Sequence, residues 1–485
     1  VEGSVQKVLN RVRVNALLID ARSDEELWSN RFDREITVEN LLDIQGEVAF
    51  QIAGSLEAEL TAEEEALIAI KHTESLQAYQ AYLRGRYFQH LPHYTQADVA
   101  RASDEFQRAV ELDPDFALAW MELANAHAQQ VFFLTDASEE RKSLARAAAQ
   151  TALALESPSH EVRLALGMYH LRLDRNGDLA MEEIVRAEEG LPNNPDVYEA
   201  KSTVFELWGR YGDAVAELRK ALHLSPGDPA VLTSLSWNFT NLRQFDSALA
   251  YGQEAVNQAP DQMWPNLTQA LAIWGAQGPT RESERLVERL PLTLDWVIWA
   301  RFWGRMMEDR YQEALSVLSD PDFEWVRVKM WARPKSLLEA YALLAMGRTE
   351  EAARSYAEAR RILEEAVADA PDDPRYHSSL ALSLAGLGYQ DDAIREGELA
   401  VSLLPTSEDA YYGLPYLWDL AAVHAALGNA DEAIRGVQHL LEVPSWVTPE
   451  FVNGDFRLDP LRQDPRFQVL LQEESQESDP PGERG

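Results

Sequence analysis

NNPDVYEAKSTVFELWGRYGDAVAELRKALHLSPGDPAVLTSLSWNFTNLRQFDSALAYGQEAVNQAP, residues 193–260, is the stretch whose reading decides the fold. Ala214 and Ala248 stand 34 residues apart, as do Ala221 and Ala255, and Pro226 and Pro260. Extended one period upstream, the same interval reaches Ala180, Ala187 and Pro192. A fixed period of this length is the mark of a stacked helical array.

The residue types explain the period. Each unit reads as two antiparallel helices. The first carries bulky residues that fill the space between helices: Tyr198 and Phe205 in one unit, Leu232, Leu235 and Phe239 in the next. The second carries alanines seven apart, Ala214/Ala221 and Ala248/Ala255, which lie on one face two turns apart. A methyl group there lets helix axes approach closely. Gly212-Asp213 is read as the start of a second helix, and Ser225-Pro226-Gly227-Asp228-Pro229 as its stop and the start of the next unit. No such unit buries its apolar face alone, so neighbours must stack.

This pattern resembles the tetratricopeptide repeat family. Further matches lie at 107–114 with Phe106, Ala109 and Pro114, at 378–405 with Leu380, Ala393, Ala400 and Pro405, and at 417–441 with Leu420 and Ala433. The fold expected is mainly α: a right-handed tetratricopeptide-type α-solenoid with a small N-terminal antiparallel β-element and helix. Roughly nine or ten units are expected over 74–444.

The totals narrow the function. Asp and Glu number 81 against 44 Lys and Arg, a formal net charge of −37. Such a surface repels phosphate backbones and anionic membranes, which argues against nucleic acid and leaves basic or neutral partners. There is no cysteine, so disulfides, thiolate metal sites and a cysteine nucleophile are excluded. No apolar run approaches the roughly 18 residues that a membrane span needs. Compartment is not readable.

Residues 1–33 alternate like strands, with Val12, Val14, Ala16 and Leu18 at every second position. Three strands are expected, Val1–Val8, Val12–Asp20 and Glu26–Asp33, with turns at Leu9-Asn10-Arg11 and Ala21–Asp24. A helix from about Val38 to Leu60 carries Leu41, Leu42, Ile44, Val48, Ile52 and Leu56, a face that can cover the sheet. An acidic run, Glu57 to Glu65, follows as an exposed face or turn. The runs Val1–Lys7, Arg11–Val14, Leu18–Ala21, Leu27–Ser29 and Phe32–Arg34 resemble the second half of a TolB-like (FlgO-like) domain over 1–60. In bacterial signalling proteins that domain precedes tetratricopeptide arrays. The family's first βαβ half is absent here, which implies an open strand edge.

Downstream, the first unit has a loop about five residues longer than usual around Pro92, and the second a long loop at Phe132–Glu139. Across 261–333 the period drifts and tryptophans accumulate: Trp264, Trp274, Trp296, Trp299, Trp303, Trp325 and Trp331. These are read as core in two degenerate units, with an aromatic-lined groove as the other reading. Residues 445–472 read as a C-terminal cap, with Phe467, Val469, Leu470 and Leu471 as its lid. Residues 473–485 are an acidic tail of disordered composition.

No Gly-rich phosphate loop or Gly-x-Ser-x-Gly elbow occurs. The imidazoles of His90-Leu91-Pro92-His93 are too few for a metal, and His127 and His424 fall at core aromatic positions. No catalytic residue, cofactor or metal is assigned. The first helix of each unit lines the inner face, where Asn125, Gln129, Glu199, Thr203, Glu206, Trp237 and Asn241 are the candidate partner contacts. Family members that grip a terminal carboxylate need Lys at the place of Met121 beside an Asn. This chain has Asn125 alone, so a neutral or basic ligand is expected. Two readings follow. One is a non-catalytic protein-interaction scaffold, a sensory or recruiting module, binding a protein or peptide. The other is a self-assembling filament protein joined through the β-edge at Val1, Gly3, Val5 and Val8 and through the C-terminal region.

Overall fold

The computed structural model describes residues 2–19, 25–35, 37, 44, 47–48, 50–52, 54, 72–89, 96–155, 159–320 and 323–478. Contacts divide the chain into two units, Val1–Tyr169 and His170–Gly485.

The first unit opens with β1 (Glu2–Val8), β2 (Arg11–Ile19) and β3 (Glu26–Glu35). They form an antiparallel meander in which Val5 faces Val14 and Val14 faces Phe32. The alternation puts Val12, Ala16 and Leu18 on one face with Phe32, all buried. Ile44 and Val48, both helical, pack on that face as the sequence implies. Arg11 and Arg13 share Asp33 on the opposite side. The Ala21–Asp24 turn and the Glu57–Glu65 run lie outside the described residues.

Helices α1 (Leu76–Gln89), α2 (Gln96–Leu112), α3 (Ala117–Phe132) and α4 (Glu139–Ala154) follow, packed α1 on α2, α2 on α3 and α3 on α4. Gly85 lets α1 approach the ring of Phe106, since a Cβ there would stand 2.5 Å from it. Next in the chain come α5 (His160–Arg172) and α6 (Gly177–Glu188).

In the second unit, pairs repeat: α7 (Pro195–Leu207) with α8 (Tyr211–Leu224), α9 (Pro229–Asn241) with α10 (Phe245–Gln258), and α11 (Met263–Gln277) with α12 (Arg281–Glu288). Then come α13 (Asp295–Met307) with α14 (Tyr311–Val317), α15 (Lys335–Ala345) with α16 (Thr349–Asp369), α17 (Pro374–Gly386) with α18 (Gln390–Leu403), and α19 (Leu414–Ala426) with α20 (Ala430–Glu442). The chain ends in α21 (Pro449–Gly454), a 3₁₀ turn at Phe456–Leu461, and α22 (Pro465–Ser478). The small positions behave as the period requires. Ala214, Ala221, Ala248, Ala255, Ala393, Ala400 and Ala433 are fully buried where second helices meet their neighbours. The architecture is a tetratricopeptide-type α-solenoid with a small N-terminal antiparallel sheet.

Several local expectations are corrected. Asp213 does not cap α8, which starts at Tyr211 without a side-chain cap. The aromatic stretch, by contrast, is largely core as read: Trp274, Trp299, Trp303 and Trp331 are buried in one continuous cluster, although Trp264 is exposed. Its second helices, α12 and α14, shrink to 8 and 7 residues. Between α14 and α15 sits a hairpin, β4 (Trp325–Arg327) with β5 (Ala332–Pro334), that the sequence does not announce. Three-residue strands are too short to display alternation. In the cap, Phe467 and Leu471 are buried but Val469 is exposed. Helix α22 continues to Ser478, into the segment whose composition suggested disorder.

Candidate interaction surface

The first helices are set by local chemistry. Asn194 accepts from the Asp196 amide and Pro195 opens α7. Asp228 accepts from the Ala230 amide and Pro229 opens α9. Each first helix here ends in a left-handed residue, at Arg175, Gly209 and Arg243, again 34 apart. Two of the three are arginines, which do not adopt that conformation freely.

Those arginines hold the far end of the chain. Arg175 donates to the buried carboxylate of Asp409 at 2.8 Å. Arg243 reaches the carbonyls of Leu440, Val443 and Val447 at 3.1–3.2 Å. Between them the Ala410 amide donates to the Leu207 carbonyl at 2.9 Å, and Tyr411 meets Trp237 edge to face at 5.6 Å. Residues 409–412 therefore lie as a strap over the ends of α7 and α9.

A second segment fills the face of the later first helices. Phe456 packs on Trp303 and Tyr341, and Trp446 on Trp331 and Trp418. Arg457 enters beside them, paired with Asp455 and with Asp419 of α19. Asp419 also accepts from the Arg333 guanidinium through both of its oxygens, at 2.8 and 2.9 Å, and from the Ser378 hydroxyl at 2.6 Å. Neither the strap nor this plug was anticipated. The plug's signal was present as the aromatic and arginine run Trp446, Phe451, Phe456 and Arg457, but no period marks where such a segment folds back.

The residues singled out from sequence divide accordingly. In the first unit Asn125 is 2% exposed and its amide donates to the Ala165 carbonyl, while Gln129 is also buried. Both belong to packing between helices. In the second unit Glu199, Thr203 and Glu206 share one face of α7, each partly exposed. Thr203 bonds back to the Glu199 carbonyl. Asn241 is fully buried and donates to the Trp237 carbonyl. Asn238, which sequence reasoning passed over, donates to Glu206 at 2.6 Å. Burial pushes Glu199 up to about 7, helped by Asp196 and Asp228, and pushes Glu206 up to about 7 against the opposing bond from Asn238. Among the edge residues, Val5 is exposed, Gly3 and Val8 lie in β1, and Val1 is outside the described residues.

Among the described residues no group of three or more His, Asp or Glu could hold a metal. His127 is buried against Arg141, and burial with that cation lowers it to about 4. The His90–His93 loop lies outside the described residues. A crevice lined by Trp274, Ser283, Arg301 and Gly304 has room for about 20 Å³, about one water. Among the described residues no helix is long and apolar enough to cross a membrane.

Comparison with known proteins places these features. Tetratricopeptide repeat models match residues 93–131 and 342–383. A putative adenylate cyclase 3 of Rhizobium meliloti (strain 1021) is 32% identical over 123 residues, 25% of this chain and 20% of its own length. The match thus spans a fifth of that relative. Among solved structures, a thermophilic tetratricopeptide protein of Thermus thermophilus aligns at TM-score 0.34 with 20% identity, over 40% of this chain and 98% of its own. The APC/C hetero-tetramer Cut9–Hcn1 aligns at 0.41 with 15% identity, over 90% of this chain and 82% of its own. Two matched repeats, set among helix pairs that recur at the repeat's own interval, establish that this chain carries tetratricopeptide repeats.

Proposed function

We propose that the chain is a non-catalytic scaffold that binds a partner protein through its first-helix surface. The observation that carries this is the α7–α9 face, where Glu199, Thr203, Glu206 and Trp237 are gathered on two neighbouring first helices. Repeat arrays of this kind present extended surface and no reactive centre. The described β1–β3 meander, with Ile44 and Val48 packed on it, supports reading the N-terminal segment as the later half of a TolB-like domain. Together with the likeness to part of a putative adenylate cyclase, this suits a recruiting or sensory arm of a signalling protein.

Cross-linking of the full chain in cells, followed by mass spectrometry of the cross-linked peptides, tests the reading. Reproducible links from a second protein to the α7–α11 surface are expected. Absence of any linked protein, at cross-linker doses that capture the chain's own internal contacts, would overturn it. Self-assembly is the second reading, favoured by one observation: β1 is a sheet edge carrying Val5 at 69% exposure. Mass photometry decides it. A strict monomer at micromolar concentration sinks the filament, whereas oligomers lost on deleting residues 1–8 support it.

A further inference from the structure

The α7–α9 face has an imbalance that points to its ligand. Glu199 and Glu206 stand seven residues apart on α7, about 10 Å along one side of the helix. Neither forms an ion pair among the described residues, although the chain pairs many of its other carboxylates. The side-chain carbonyl oxygens of Asn238 and Asn241 are buried without a protein partner, and both residues are fully inaccessible. The Trp237 indole N–H and the Tyr211 hydroxyl are also buried and unpartnered. Asp196 and Asp228 add negative potential at the Glu199 end. Carboxylates without a cation, and amide oxygens without a donor, suit a ligand that brings cationic N–H groups, because each buried acceptor left unpaired is costly.

Resting on the reading of the chain as a partner-binding array, we propose that this face receives a basic segment of a partner protein. Two lysine or arginine side chains about 10 Å apart would sit on Glu199 and Glu206, the second with its stem along Trp237. In a polyproline II segment, with three residues per turn, residues three apart lie on one side about 9 Å from each other, close to that spacing. The strap covers the Glu206 end, through Tyr411 on Trp237 and Ala410 on Leu207. Full engagement therefore displaces Tyr411, and the strap competes with the partner for the same indole.

Isothermal titration of the full chain at pH 8 and low salt with the blocked tetrapeptide Lys-Ser-Ser-Lys tests this, with Glu-Ser-Ser-Glu as the acidic control. The lysine peptide is expected to bind and the acidic one not. The double variant Glu199→Gln/Glu206→Gln should lose at least tenfold in affinity, and Tyr411→Ala should gain severalfold. The double variant changes the formal charge only from −37 to −35, so general attraction to an acidic surface would survive it. Equal binding to wild type and double variant, or none to either, overturns the proposal. Circular dichroism of the variants checks the fold, and the isosteric amides relieve buried charge rather than add it. If cross-links to a partner protein persist unchanged in the double variant, the scaffold reading stands and this site fails. If no partner is linked at all, the scaffold reading fails first.

Discussion

Asp419 shows how one carboxylate organises the later half of the second unit. It takes two bonds from Arg333, one from Arg457 and one from Ser378, all buried. Burial by itself would raise its pKa, but the two guanidiniums outweigh that and hold it below the ordinary carboxylate value. Asp419→Ala leaves two buried cations short of a partner and is expected to cost about 3–5 kcal/mol, read from chemical denaturation. A loss under about 1 kcal/mol would show that the network is dispensable. Glu206 is the opposite case. Its carboxyl is raised to about 7 by burial, so the folded state holds a proton that the unfolded state has released. Stability from this group is greatest below the unfolded value near 4.5 and declines as pH rises to about 7. Glu206→Gln should therefore raise the unfolding free energy at pH 8, by an amount on the order of 1–3 kcal/mol read from chemical denaturation, and leave it unchanged at pH 4. A variant less stable than wild type at pH 8 would contradict the assignment.

Among elements, the turn after each first helix is the informative one. Gly209, Gly347, Gly388 and Gly428 take the left-handed conformation that glycine tolerates, but Arg243 takes it as well, at φ 56°. Its guanidinium bonds to three carbonyls near the end of the array explain why the strained choice persists. Arg243→Gly relaxes the backbone by about 1 kcal/mol yet removes charge-assisted bonds worth about 2–3 kcal/mol. A net loss of about 1–2 kcal/mol is expected in thermal or chemical denaturation, and a gain would mean the arginine contributes nothing there. Helices α7 to α10 were legible because Ser225–Pro229 announces the stop of α8 and the start of α9, and Ala214 and Ala248 mark the packing of α8 and α10. The β4–β5 hairpin and the shortened α12 and α14 were not, because bulky residues such as Trp299 and Trp303 broke the small-residue period without stating what replaces it.

At the scale of the second unit, the plug from Trp446 to Arg457 converts an inner surface into a core. It covers Trp303, Tyr341 and Trp418 and supplies the second cation to Asp419. A chain ending at Pro444 should bind a hydrophobic dye and lose amide protection over α13–α19, while α7–α10 stay protected, as hydrogen exchange would show. Unchanged protection in α13–α19 would mean the first-helix surface is stable without its filling. The candidate contacts follow the same division. That Glu199, Thr203, Glu206 and Trp237 lie on first helices was legible from the 34-residue offset alone. That Tyr411 covers Trp237, and that Asn125 is spent on the Ala165 carbonyl, was not.

What the sequence determined by itself is the set of local events: paired helices, the alanines that let them touch, and the three alternating strands. Those depend on neighbours within a few tens of residues, and a repeating chain displays them at fixed intervals. What only the tertiary structure decided is where residues some 200 positions apart meet, Arg175 with Asp409 and Arg243 with the carbonyls near Val443. Small rotations between stacked pairs add up along the array, and no single interval carries that sum. The tilt per repeat therefore chose which part of the inner surface is filled by the chain's own later segments and which part is left open.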